Sequence, residues 1–194
     1  MAMNTIKEYK TIAFQSQKKW RDWLVKNHES TNGVWLRLYK KGSEVKSINH
    51  EQALEEALCF GWIDGQAKSY DEESYLQKFT PRRKGSMWSK KNILNVERLI
   101  EEGKMHSSGL AEVEKAKSDG RWHNAYDSPA NMQVPDDFLK LLSEYPDALA
   151  FFNTLNKTNT YSITWRLQTA KKPETRQKRM TAIIEMLKQR KTFH

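Results

Sequence analysis

The sequence predicts an α+β chain: a small antiparallel sheet packed with helices, followed by an all-helical C-terminal part. Three observations predict it. The first third reads helix, strand, helix, strand, strand; from Ser89 onward only helical patterns recur; and 7 Trp, 7 Tyr and 7 Phe among 194 residues are enough to build a core.

Ser16 can cap a first helix over roughly 17–28, with Trp20, Trp23 and Leu24 at helical spacing. Thr31-Asn32-Gly33 signals a turn. Val34 to Tyr39 alternates as a strand with Val34, Leu36 and Leu38 on one face. Asn49 and Gln52 form a capping-box pair that opens a helix over about 50–60, and Gly61 suits its C′ position. Asp64-Gly65 reads as a turn into extended chain over Gln66 to Tyr70. A second extended stretch, Tyr75 to Thr80, follows the acidic turn Asp71-Glu72-Glu73.

The helical part begins at Ser89, which caps a helix over about 90–102 with Ile93, Val96, Leu99 and Ile100 inward, stopped by Gly103. A helix from Ser107 or Ser108 runs to about 118. Residues 122–131 are irregular and include Ser128-Pro129. Pro135 and Pro146 then sit at helix starts. Residues 158–170 form a helix with Tyr161 and Trp165 one turn apart. Pro173 begins the last helix, whose Met180, Ile183, Ile184 and Leu187 make an apolar stripe. The expected domains are 1–125, the α+β domain, and 132–194, the helical region.

Composition excludes several classes. No run of ~18 apolar residues exists, so no membrane span is expected. The N-terminal stretch lacks the apolar segment of a secretory signal, so a soluble, cytoplasmic chain is expected. The single cysteine, Cys59, excludes an internal disulfide. Its apolar neighbours favour a buried, inert thiol. The five histidines are scattered, and neither a local metal site, a dinucleotide-binding glycine fingerprint nor a GxSxG motif is present, so no cofactor is implied.

The formal net charge of +9 is concentrated in two places. Lys78, Arg82, Arg83, Lys84, Lys90 and Lys91 lie within 78–91 with no acid among them; Arg166, Lys171, Lys172, Arg176, Lys178 and Arg179 lie within 166–179 with only Glu174. Either cluster can attract a polyanion or serve as a solvated face. In the first, Pro81 ends the strand, Arg82 and Arg83 offer planar forks, and Ser86 and Ser89 add hydroxyls. A basic, glycine-containing loop before a helix start is a ready anion site. Lys90 and Lys91 also occupy a first turn, where the helix dipole prefers acids by roughly 0.3–1 kcal/mol each.

Residues 55–66 offer a second segment. Trp62 is either core or a pocket wall. Asp64 either caps its turn or, like Glu55, presents a carboxylate to the basic loop, as general base or as ion-pair partner of Arg82. Trp122 and Tyr126-Asp127 are either packing or a second wall. Arg176 and Arg179 reach a groove or lie on the surface.

The strings ALEEALCFGWIDGQ, SYLQKFTPRRKGSMWSKKN, AKSDGRW and TAKKPETRQKR, spread between about Trp20 and Leu187, resemble the bacterial YdeI/OmpD-associated family, also called bacteriocin-protection proteins. The resemblance implies a bacterial cytoplasmic protein linked to envelope stress and resistance. It supplies no agreed activity, cofactor or catalytic residue. It also implies that the FTPRR…WSKKN and CFGWIDG stretches are the signature region.

The leading expectation is a binding protein whose pocket is lined by Trp62, Asp64, Arg82, Arg83, Ser86, Trp88, Ser89, Lys90 and Asn92. It would hold an anionic, phosphate-bearing small molecule. The alternatives are a nucleic-acid-binding or regulatory interaction protein, and an enzyme using Asp64 or Glu55 as base beside an arginine. Catalytic residues and oligomeric state are left open by the sequence.

Overall fold

The computed structural model describes residues 9–128 and 131–194; Pro129 of the expected irregular segment lies outside them. The chain divides into two compact units, the first formed by Met1–Trp88 and Asn92–Asn124, the second by Ser89–Lys91 and Ala125–His194. The class is α+β, with a four-stranded sheet and eight helices among the described residues.

In the first unit the order is β1 (Thr11–Ile12), α1 (Gln17–Asn27), β2 (Val34–Tyr39), α2 (His50–Cys59), β3 (Trp62–Ser69) and β4 (Ser74–Pro81), followed by α3 (Lys90–Glu101) from Asn92 onward and by α4 (Ser107–Ser118). The sheet order is β1-β2-β4-β3. β2–β4 and β4–β3 are antiparallel as expected, while β1 adds a parallel edge, Thr11 beside Trp35 and Ile12 beside Leu36. Two residues carry no readable alternation, which is why this edge is silent in the sequence.

Capping chemistry sets the helix starts. The Ser16 hydroxyl accepts from Lys19 N–H at 3.3 Å. The capping box at α2 is complete: Asn49 accepts from Gln52 N–H at 2.9 Å, and Gln52 accepts from Asn49 N–H at 3.0 Å. α2 then ends at Gly61, whose φ of +73° is the left-handed cap that glycine adopts without cost. The freed carbonyls of that end are taken up by the start of α4. His106 N–H donates to Cys59 O at 3.0 Å, and the Ser108 hydroxyl donates to Phe60 O at 3.1 Å.

Val34, Leu36 and Leu38 are buried on one face of β2. In register, Val34 lies beside Phe79 and Leu36 beside Gln77. The centre of this core is Trp20. It stacks on Trp23 at 5.2 Å, meets Phe79 at 5.9 Å and Trp62 at 6.4 Å, and donates its indole N–H to Ala53 O at 3.0 Å. A fully buried aromatic of this kind contributes about 1.5–3 kcal/mol over leaving it exposed. Buried Glu56 is satisfied by Arg21 at 2.7 Å and Gln17 at 2.9 Å, which joins α1 to α2. Cys59 is buried, and desolvation, with Glu56 nearby, pushes its thiol up to about 11.

α3 departs from its expected inward face. Val96 and Leu99 are buried, but the third buried position is Asn92, and Ile100 is exposed. A stripe drawn from apolar residues alone overlooks a polar side chain that finds partners inside.

The second unit holds α5 (Asp136–Leu142), α6 (Pro146–Phe152), α7 (Lys157–Gln168) and α8 (Pro173–Lys188). Pro135 precedes the first turn of α5 as its N-cap, one position before that expected, and Pro146 occupies the first turn of α6. The stripe Met180, Ile183, Ile184, Leu187 is buried against Phe138, Leu142, Phe152, Ile163 and Leu167. No helix among the described residues is long and apolar enough to cross a membrane.

Candidate anion-binding site

The basic loop begins where Pro81 ends β4. Arg82 N–H donates to Gly61 O at 3.0 Å, which ties the loop to the C-terminal cap of α2. The Arg82 side chain is 7% exposed. Its guanidinium lies 3.5 Å from the centroid of the Trp88 ring and donates to Met87 O at 3.2 Å. Buried Arg121 grips the loop from another side, donating to Ser86 O at 2.8 Å while Asp119 holds its Nε at 2.7 Å. Trp88 packs on Trp122 at 5.0 Å.

This bracing leaves only the turn itself outside. Ser86 N–H returns to Arg83 O at 2.9 Å, and Gly85 at the third position has φ +79°, the value a type II turn requires there. Arg83, Lys84 and Gly85 are exposed. Between this turn and the β3–β4 ladder lies a groove of about 450 Å³, lined by residues that include Gln66, Lys78, Thr80, Arg83, Lys84 and Ser86. None of the described lining residues is acidic. Among the described residues, Lys78, Arg83 and Lys84 form no ion pair with a carboxylate.

The floor of the groove comes from an irregularity. The pairing of β3 with β4 shifts between Asp64 and Ala67. The expected Asp64-Gly65 turn is therefore a bulge inside a continuous strand, and Gln77 fastens it by donating to Gly65 O at 2.8 Å. Glycine and a short polar residue signal a bulge and a turn alike.

The structure sorts the expected site residues into groups. Arg83 and Ser86 line the groove. Arg82 and Trp88 form the internal brace of the loop. Trp62 is core, 1% exposed, with its indole N–H donated to His28 O at 3.2 Å. Asp64 is one strand position from Ile63 of the groove; its carboxylate meets His50 Nε2 at 3.1 Å. Alternation along a strand sends neighbours to opposite faces. Glu55 is paired with Arg98, and Arg82 is not its partner. Asn92 is buried in the first unit.

Ser89 and Lys90 belong to the second unit. There Ser89 bridges to Tyr126, and Lys90 N–H donates to Tyr126 O at 2.9 Å. The ammonium of Lys90 pairs with Asp127 at 2.7 Å, and Gln168 donates to the same carboxylate at 2.8 Å. Lys90 is thus compensated by an acid distant in sequence. Lys90 is largely exposed, so the pair gives ~0–1 kcal/mol, of the same size as the dipole misfit it offsets.

Lys78, Thr80 and Gln66 join the groove without having been expected as site residues. The strand alternation carried a signal for two of them: Lys78 and Thr80 stand on the face opposite Phe79. Another cavity of about 450 Å³, beside Trp23, Asn27 and Gly33, has Lys10 as the one charged residue among its described lining. Among the described residues no group of three or more His, Cys, Asp or Glu side chains could hold a metal ion.

Fold and groove together define an α+β chain with a braced basic turn, joined to a helical region. Residues 12–112 match the profile of a family described as a domain of unknown function (DUF8412), and the chain belongs to that family. Residues 131–190 match the profile described as bacteriocin-protection, YdeI or OmpD-associated, in agreement with the resemblance read from the sequence. The CFGWIDG and FTPRR…WSKKN stretches fall inside the first match, and TAKKPETRQKR inside the second. No curated protein and no solved structure matches.

Proposed function

We propose that the first unit binds an anionic, phosphate-bearing small molecule in the groove between the Arg83–Ser86 turn and the β3–β4 ladder. One observation carries this reading. Three cations, Lys78 on β4 and Arg83 and Lys84 on a turn held by two buried arginines, face a groove with no acid among its described lining residues. A guanidinium fork and two ammonium groups suit phosphate oxygens, and Ser86 and Thr80 supply hydroxyls. The bracing supports it further, since a preorganised loop loses little entropy on binding.

The test is calorimetric titration of the full chain with pyrophosphate and with a nucleoside diphosphate, beside an Arg83→Ala/Lys84→Ala double variant. The expected result is binding by the wild type and a loss of tenfold or more in the variant at unchanged Tm. Absence of binding by the wild type, or equal affinity in the variant, overturns the proposal.

A second reading, single-stranded nucleic acid, is favoured by one observation. Trp35, facing away from the helix-covered side of the sheet, is flanked by Lys68 at 4.5 Å and Lys78 at 5.9 Å. An aromatic between cations is a stacking platform for bases. This reading requires oligonucleotide binding that falls steeply with salt and is lost in Trp35→Ala.

A further inference from the structure

The second unit contains a cavity of about 520 Å³ lined by Trp165, Arg166, Arg179, Ala182, Ile183, Met186 and Phe193. Its chemistry is unusual in one respect. Arg166 and Arg179 sit together, and neither is ion-paired with a carboxylate among the described residues. Arg176, one turn earlier on the same helix as Arg179, has a bidentate partner in Asp137 at 2.7 and 2.9 Å. The fold therefore supplies an acid to one arginine and leaves the two beside the cavity with each other. Burial and the neighbouring Arg179 push the Arg166 guanidinium below its ordinary value, the sign of two cations held together without a counter-charge.

Part of each arginine is used locally. Arg179 Nη1 donates to Arg166 O at 2.5 Å and to the Thr169 hydroxyl at 3.3 Å, and Arg166 Nη1 donates to Ser162 O at 2.8 Å. These bonds satisfy carbonyls of α7 and fix where the guanidinium planes lie. They leave Nε and Nη2 of each fork outside the hydrogen bonds seen among the described residues. The guanidinium carbon of Arg166 lies 3.7 Å from the centroid of the Phe193 ring, a cation–π contact that seats it on an apolar wall. The rest of the lining is apolar: the Trp165 ring, Ile183, Met186 and Ala182.

We propose that this cavity is a binding site for an amphipathic anion, a carboxylate carrying an aliphatic or aromatic body, with its head on Arg166 and Arg179 and its body against Trp165, Met186 and Phe193. The volume is that of a small-molecule site, and an apolar lining with a few convergent polar groups is its usual make-up. Two planar forks match a carboxylate edge to edge. A polyphosphate would leave the apolar wall unused, so the occupant differs in class from that of the first unit's groove.

The experiment uses the full chain and decanoate as probe, measured by calorimetry and by displacement of the aromatic sulfonate 1-anilinonaphthalene-8-sulfonate. Decyltrimethylammonium and inorganic phosphate serve as competitors that each lack one half of the required chemistry. The expected result is displacement by decanoate and by neither competitor. Arg179→Gln, which removes one fork and its charge, is expected to weaken decanoate tenfold or more. Ala182→Glu places a negative charge at the exposed rim without touching the α7 hydrogen bonds, and is expected to abolish binding at unchanged Tm. Arg83→Ala/Lys84→Ala is expected to bind decanoate as the wild type does. No decanoate binding by the wild type, equal displacement by the cationic detergent, or wild-type affinity in Ala182→Glu overturns the proposal.

Discussion

The guanidinium of Arg82 lies 3.5 Å from the centre of the Trp88 indole, with both side chains buried. This pair divides the basic loop into two kinds of arginine. Arg82 faces inward and holds the loop closed on itself. Arg83, its neighbour, stands on the exposed turn and lines the groove.

Arg82→Ala and Arg83→Ala are therefore expected to separate stability from binding. The first removes a desolvated cation–π contact worth about 2 kcal/mol and the donor to Met87 O, so Tm falls and groove binding falls with it. The second is expected to change stability by about 0.5 kcal/mol or less while weakening anion binding. Thermal denaturation beside pyrophosphate titration checks both. Equal Tm loss in the two variants contradicts this division of roles.

Gly109→Ala is expected to be costly although glycine is a poor helix former. A Cβ at position 109 would lie 2.2 Å from Cys59 O, a backbone atom with no room to rotate away. α4 would have to move off the end of α2 that it caps through His106 and Ser108. Overpacking of this kind costs about 1–3 kcal/mol, more than the ~1 kcal/mol helix propensity gained. Urea denaturation gives the sign directly.

His106 makes the first unit acid-sensitive. Burial, and then His28 against it, holds its imidazole below the ordinary 6.5. Its Nδ1 accepts from Ser108 N–H at 3.3 Å, a bond that needs the unprotonated nitrogen. Below pH 6.5 the unfolded chain takes up the proton first, so stability present above that value is lost as pH falls toward the folded-state value. Tm is expected to drop between pH 7.5 and pH 5. His106→Asn, which keeps a cap acceptor without the titration, is expected to flatten that slope.

A second acid transition belongs to the helical unit. Arg176 holds the Asp137 carboxyl below its ordinary range, and Lys90 with Gln168 does the same for Asp127. These contributions are present above the ordinary aspartate value and are lost as pH falls through the lowered folded-state values. Asp137→Asn is expected to remove part of the Tm loss below about pH 4 and to lower Tm at pH 7. An unchanged acid profile in that variant means the pair contributes nothing measurable.

Legibility followed the range of the interactions. The α2 capping box, the Gly61 cap and the β2 alternation are local, and all three could be read directly from residue types and spacing. The candidate site was legible only as a basic segment. Nothing local tells Arg82 from Arg83: the distinction depends on Trp88 and on Arg121, which lies 35 residues beyond Ser86. Asp127 compensates Lys90 although it is distant from it in sequence, and the β3 bulge exists only in its pairing with β4.

By itself, then, the sequence determined the α+β class, the eight helices of the described residues, the strands β2 and β4, and the acid-free charge between Lys78 and Lys91, because periodicity, caps and charge counts are written in residue types. Tertiary structure alone decided which cations are struts and which line a groove. Burial and ion pairing depend on residues brought together from distant parts of the chain, and no spacing rule encodes those meetings.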